Sequence, residues 1–414
     1  MRVLVVGSGG VGSAFVAIAS RREAYEHITV ADIDLERAEA AVETAERDDD
    51  GRRIRAARVD ASDAAAVAAL ATETRADVVL NACDPWLNPS IFEAAFDAGC
   101  HYVDMAMNTS VPHPTEPYAK VGRRLGDAQF AQSPAWKNRG LMALVGMGVE
   151  PGFSDVAARY AADHLFSRID EIGVRDGADL VVEGYDFAPT FSIWTTIEEC
   201  LNPPVIYERD RGWFTTEPFS EPEMFTFPEG IGPIQCVNVE HEEVILIPRW
   251  IDVERVTFKY GLGRDFIQVL KTLDKLDLVS TEPVEVRGVR VSPRDVVAAA
   301  LPDPATLGDH MTGRTCAGTW VRGLSPDGEP REVYVYHLVD NAWSMREFGH
   351  QAVVWQTAVM PAVAIELIGT GVWRRAGVVG PEALPSEPFL ELLDQHGCEW
   401  EWAEYRDRAP IAAS

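Results

Sequence analysis

The chain has 414 residues, long enough for two globular units, and its hydrophobic (47%) and charged (25%) fractions are those of an ordinary folded protein. Its formal net charge of −28 argues against nucleic acid as a partner, because phosphate recognition needs basic patches. No apolar run is expected to span a bilayer and no cleavable leader pattern opens the chain, so a cytoplasmic protein without a membrane partner is expected.

Residues 1–6 form an apolar run with β-branched character, the pattern of a buried parallel strand. Gly7-Ser8-Gly9-Gly10-Val11-Gly12 follows at once, and "SAFVAIASRR" then carries apolar residues at helical spacing. Strand, G-x-G-x-x-G and helix in that order predict a dinucleotide site. Gly7 makes the turn, Gly9 admits the pyrophosphate, and Gly12 permits close packing of helix on strand, with Ser8, Gly10 and Val11 completing the loop. The next strand, "HITVADID" (27–34), delivers Asp32 twenty residues after Gly12, with Ile33 beside it. An acid there accepts hydrogen bonds from the adenine ribose diol and repels a 2′-phosphate, so NAD is expected, with NADP possible because Arg37 follows.

Further strands are predicted at 54–60, 76–86, 100–108 and 141–152. Their ends place Asp60 and Ala61 at the adenine side and Asn81 and Ala82 under the nicotinamide. Asp104 falls on the crevice side, and Gly152 and Phe153 where cofactor and substrate meet. The acidic run at Asp48, Asp49 and Asp50 reads as a solvated loop. A doubly wound parallel sheet over residues 1–150 follows.

From residue 151 the pattern mixes short strands, helices and Pro- and Trp-rich loops, predicting an α+β domain on a mostly antiparallel sheet over 151–348. Strands are expected at 168–181, 236–247, 255–262, 283–292 and 333–340, and helices at 153–166, 264–276 and 293–301. The segment 349–371 reads as a long buried helix interrupted at Pro361, so 349–414 is expected to pack back on the first domain. Six cysteines (Cys83, Cys100, Cys200, Cys236, Cys316, Cys398) lie scattered without a C-x-x-C pair, which fits reduced thiols and no metal.

Several stretches carry a resemblance over nearly the whole chain: "GSGGVGS", "VVLNACDPWLNPSIFEAAFDAGCHYVDMAM" (78–107), "LVGMGVEPGFSDVAARYAADHLF" (144–166), "VEHEE" (239–243), "ALPDPATLGDHMTGRTCAG" (300–318) and "FGHQAVVWQTAVMPAVAIELIGTGVWRRAGV" (348–378). The chain resembles the saccharopine dehydrogenase superfamily, and within it the carboxynorspermidine (carboxyspermidine) dehydrogenase branch. The resemblance implies a homodimer that reduces a Schiff base, formed from a small-molecule amine and a carbonyl compound, to a secondary amine with a nicotinamide coenzyme, or runs the reverse. It also matches Asp104 to an acid near the reacting centre. An aminoalkyl transferase of the homospermidine synthase kind and a non-catalytic NAD-binding sensor are the alternatives.

Imine reduction needs the substrate's charges fixed more than it needs a strong acid. His241, between Glu240 and Glu242, is the expected proton shuttle. Asp176, Glu183, Asp186, Glu198 and Glu199, flanking Trp194 and Thr195, are expected to hold ammonium groups. Arg314 is the expected clamp for a carboxylate, with Thr312 and Thr315 nearby. His337 and His350 are secondary candidates.

Overall fold

The computed structural model describes residues 1–46 and 53–411; the acidic run at 48–50 lies outside them. Seven parallel strands form the first sheet: β1 (Arg2–Val6), β2 (His27–Asp32), β3 (Ile54–Arg58), β4 (Val78–Asn81), β5 (His101–Asp104), β6 (Met142–Leu144) and a late strand, Gly377–Val379. Their order across the sheet is Gly377–Val379, β6, β5, β4, β1, β2, β3. Helices cover both faces, so Val3, Leu4, Val5 and Val6 are all at most 2% exposed. Burying each such side chain contributes about 2 kcal/mol relative to leaving it in water. The chain winds outward in both directions from the neighbouring pair β1 and β4, and the crevice between their carboxyl ends is where such sheets bind ligands.

The second domain is built on a ten-stranded sheet whose centre is Arg255–Tyr260, Arg168–Ala178, Arg314–Leu324, Pro330–Asp340 and Trp400–Arg406. Its pairings are antiparallel except that Arg255–Tyr260 runs parallel to Arg168–Ala178. The stretch 236–247 departs from expectation. The strand ends at Asn238, and Glu243–Leu246 is helical. Val244 to Ile247 are fully buried on every side, and an apolar run without alternation does not distinguish a strand from a helix turn.

The C-terminal segment serves both domains. Ala352–Thr370 is one continuous helix despite Pro361 and packs along α1 (Gly10–Ala19), with Val354 next to Gly10. The strand Gly377–Val379 extends the parallel sheet beside β6, whereas Trp400–Arg406 joins the second sheet rather than packing back on the first domain. Contrary to the reading of the sequence, Ala352–Thr370 is long and apolar enough to cross a bilayer, the one such helix among the described residues; most of it is buried inside the fold.

Candidate active site

A cavity of about 1090 Å³ opens between the two domains, along the carboxyl ends of the parallel strands. At one end lie Gly7, Gly9, Gly10, Val11, Asp32, Ile33, Asp60 and Ala61; Asn81, Ala82 and Trp86 follow, and Glu150, Glu199 and Glu242 stand at the other end. Ala298, Leu301 and Pro302 of the second domain close over it.

The glycine loop fits a dinucleotide. Gly7 has φ +101°, and a Cβ on it would stand 2.6 Å from the Ala82 carbonyl oxygen. A Cβ on Gly12 would meet the Gly7 carbonyl at 2.0 Å, so Gly12 is absent from the cavity wall because it packs α1 onto the loop. No side chain caps α1, which leaves its first N–H groups to a diphosphate. Asp32 Oδ2 accepts from the Ser8 N–H (2.8 Å) and hydroxyl (2.9 Å), and Oδ1 from the Asp34 N–H (3.0 Å). Burial works against this carboxylate, but those donors and Arg37 outweigh it and hold its pKa below the ordinary value. Ser8 thus ties the loop to Asp32 and does not itself line the cavity. The Cys83 thiol, pushed up to about 12 by burial and by Asp32 and Asp84, is no nucleophile.

Asp104 does not reach the cavity. It is 1% exposed and accepts from the Gly146 N–H and the Gln129 amide, each at 2.7 Å, while its main-chain carbonyl takes the Met147 N–H. Burial raises its pKa to about 7 against those donors. Asp104 is a positioning residue: it fixes the turn after β6. That turn presents Glu150 and Pro151 to the cavity, not the expected Gly152 and Phe153. Gly152 adopts φ +133° against the Gly148 backbone, and Phe153, fully buried, packs on His337.

His241 also lies behind the wall. Its ring stacks on Phe258 (3.7 Å between centroids, 5° between planes), and Nδ1 reaches Glu243 at 2.5 Å and Glu242 at 3.5 Å. Burial disfavours its charge, but Glu243, Glu242 and Glu199 overcome it and raise the pKa to about 10. His241 is therefore a fixed imidazolium, not a neutral-pH shuttle. His241, Glu242 and Glu243, all buried, bring donor atoms within 4.8 Å of one another.

Of the expected substrate contacts, Trp194, Thr195 and Glu199 line the cavity, all from the helix Ile193–Leu201. Glu198, one residue before Glu199, points to Arg294 at 2.6 Å, and Glu183 and Asp186 are in solvent. Asp176 stands behind Glu150. Arg314 is no clamp at the cavity: its guanidinium reaches Asp179 and the Glu229 carbonyl, while Thr312 is exposed and Thr315 hydrogen-bonds Gln356. His337 and His350 are held neutral by burial and lie off the wall. The sequence reading missed Glu242, Gln351 and Thr357 as wall residues. Gln351, 3% exposed, donates its amide to the Thr190 carbonyl (2.7 Å), and its Oε1 has no hydrogen-bond partner.

Among the described residues lining the cavity, Arg37 at the adenosine end is the one basic side chain. The opposite end presents three carboxyl groups and two uncharged acceptors and no Lys or Arg. That arrangement suits a nicotinamide coenzyme next to a cationic substrate.

Comparison with known proteins agrees. The saccharopine dehydrogenase NADP-binding domain matches residues 3–144, and the saccharopine dehydrogenase C-terminal domain matches residues 148–398. A carboxynorspermidine synthase of Vibrio cholerae serotype O1 is 29% identical over 99% of both chains. A carboxyaminopropylagmatine dehydrogenase of a Synechocystis species is 28% identical over 96% of both. The saccharopine dehydrogenase (L-Glu forming) of Saccharomyces cerevisiae shares the fold, with a TM-score of 0.71 over 98% of this chain and 100% of its own at 14% identity. The chain belongs to the saccharopine dehydrogenase family and is an NAD(P)-dependent oxidoreductase acting on carbon–nitrogen bonds.

Proposed function

We propose that this enzyme reduces the imine formed between a diamine or polyamine and a short aldehyde bearing an amino acid group, giving a carboxyalkyl polyamine of the carboxynorspermidine type. A homodimer, which the family resemblance implies, and a cytoplasmic location are part of that reading.

The observation that carries it is the charge of the inner cavity. Glu150, Glu199 and Glu242 line it and no Lys or Arg among the described residues does; the nearby basic group, His241, stands behind the wall against Glu243, 3.5 Å from Glu242. Carboxylates in a partly dry site bind ammonium groups through short charge-assisted hydrogen bonds. A saccharopine-type substrate would bring three carboxylates into the same acidic end, where they would be repelled; a polyamine brings mostly cations. When bound, the nicotinamide supplies the hydride that reduces the imine carbon. The chain's own part is to hold the amine by Glu199 and Glu242, to seat the coenzyme diphosphate on α1, and to exclude water with Pro151, Trp194 and Leu301.

The test is to incubate the purified protein with 1,3-diaminopropane or putrescine, aspartate β-semialdehyde and NADPH or NADH, following nicotinamide absorbance. Oxidation that depends on both amine and aldehyde is expected, and lysine with 2-oxoglutarate should give a rate at least about a hundredfold lower, in line with a site that leaves charges unpaired. Faster turnover of the lysine pair would overturn the reading.

A further inference from the structure

Imine formation is itself a chemical step. The amine must lose a proton before it attacks, and the hydroxyl of the resulting carbinolamine must gain one before it leaves as water. With His241 locked as an imidazolium and Asp104 behind the wall, neither residue that the sequence suggested does this work. The cavity wall offers another group.

Glu150 leaves the turn after β6, a turn fixed by the Gly146 N–H on Asp104 Oδ1 (2.7 Å) and the Gly148 N–H on the Pro151 carbonyl (2.6 Å). Glu150 lines the cavity, and its carboxyl meets that of Asp176, from the central strand Arg168–Ala178, at hydrogen-bonding range. Glu150 Oε1 and Asp176 Oδ1 are sealed from solvent and have no N–H or O–H donor. Two carboxyls so placed cannot both ionise and must share a proton. Their surroundings enforce this. Glu243 adds negative charge, as Glu199 does once it ionises, Tyr260 and Cys316 are neutral, and His241 is the nearby cation. Burial raises both pKa values above the ordinary carboxyl range. Gln351 Oε1, buried, unpartnered and on the same wall, independently marks a place for a ligand N–H.

We infer that Glu150 is the acid–base group for imine formation and that Asp176 is the positioning residue that keeps one proton on the pair. This rests on the substrate reading above. The bound ammonium gives a proton to the Glu150 carboxylate, and the amine nitrogen forms its bond to the aldehyde carbon as the C=O π bond opens. The proton left on nitrogen passes to the new alkoxide, giving a neutral carbinolamine. Glu150 then protonates the hydroxyl, the C–O bond breaks, water leaves, and the iminium stands ready for the hydride. Glu150 ends as it began, and the net consumption is one ammonium, one aldehyde and one hydride for one secondary amine and one water.

Three measurements test this. Glu150→Gln should lower kcat for the amine–aldehyde pair by about 10²–10⁴-fold, the ordinary weight of a general acid–base, with NADPH affinity by fluorescence titration unchanged. Glu150→Ala should regain activity with added formate, a rescue that a purely structural residue does not show. In the free protein, wild-type-minus-variant infrared difference spectra should show a protonated-carboxyl component that titrates above the ordinary carboxyl range and is missing from both Glu150→Gln and Asp176→Asn, while the bands of the other buried acids persist. A Glu150→Gln enzyme within threefold of wild type, a Glu150→Ala enzyme without formate rescue, or an unchanged infrared band would each overturn the assignment. Failure of the substrate reading looks different: the wild type is then inert with this pair while the infrared band and its loss persist.

Discussion

Asp32 and Arg37 set opposite demands on the coenzyme. The Asp32 carboxylate, pinned by Ser8 and Asp34, would meet the ribose edge of a coenzyme seated on the glycine loop with a negative charge that repels a 2′-phosphate. Arg37, exposed on the cavity wall, brings Nη2 to 3.6 Å from where a Gly9 Cβ would stand, over the diphosphate loop. A guanidinium pairs with a phosphate bidentately and with a diol only weakly. Arg37→Ala should therefore weaken NADPH binding at least about tenfold, some 1.4 kcal/mol, and leave NADH within about threefold. Fluorescence titration of both coenzymes at two salt concentrations checks this; equal losses for the two would show that Arg37 serves the shared diphosphate instead.

The helix Ile193–Leu201 carries much of the substrate end. Thr195 and Glu199, four residues apart, share the face that lines the cavity, while Glu198 is turned about 100° away toward Arg294. Ser192 caps this helix by accepting the Thr195 N–H at 3.4 Å. Ser192→Ala should cost about 1 kcal/mol of stability. Because the first turn would fray, KM for the amine should rise while coenzyme affinity holds. Steady-state kinetics with a denaturation curve measures both, and an unchanged KM would mean that packing alone holds the helix. The same helix shows why the parallel sheet was readable in the sequence and the substrate site was not. Strand, glycine loop and acid follow a fixed local spacing, and Gly7, Asp32 and Asn81 all line the cavity. Which of Glu198 and Glu199 faces the cavity depends on helix rotation, and Arg314 met Asp179 through tertiary packing. Glu150 comes from the turn after β6 and Asp176 from a strand of the second sheet, and no spacing in the chain announces their contact.

Across the whole molecule the unusual feature is buried acid. Asp104, Glu199 and Glu240 are raised to about 7, 8 and 7, chiefly by burial; the adjoining Asp155 is raised by burial and by Glu382, and Glu382 by burial against the hydrogen bond it shares with Asp155. A carboxyl whose pKa is higher folded than unfolded binds more protons in the folded state. Its contribution is therefore complete below about pH 4 and is lost as pH rises through its folded value. His241, raised to about 10, acts in the same direction at higher pH. Glu223 and Glu366, lowered to about 2 against burial by the cations beside them, act oppositely and lose their contribution only as pH falls below about 4.5. The coenzyme-free protein should thus be most stable near pH 5–6, with the thermal midpoint falling by several degrees toward pH 8.5 as the buried acids ionise without partners. Spermidine, by supplying a partner to Glu199 on the cavity wall, should recover more of the midpoint at pH 8.5 than at pH 6, and Glu199→Gln should reduce that recovery. Differential scanning calorimetry across this range decides it; a midpoint that climbs from pH 6 to 8.5 would mean that the acids are already paired in the free protein.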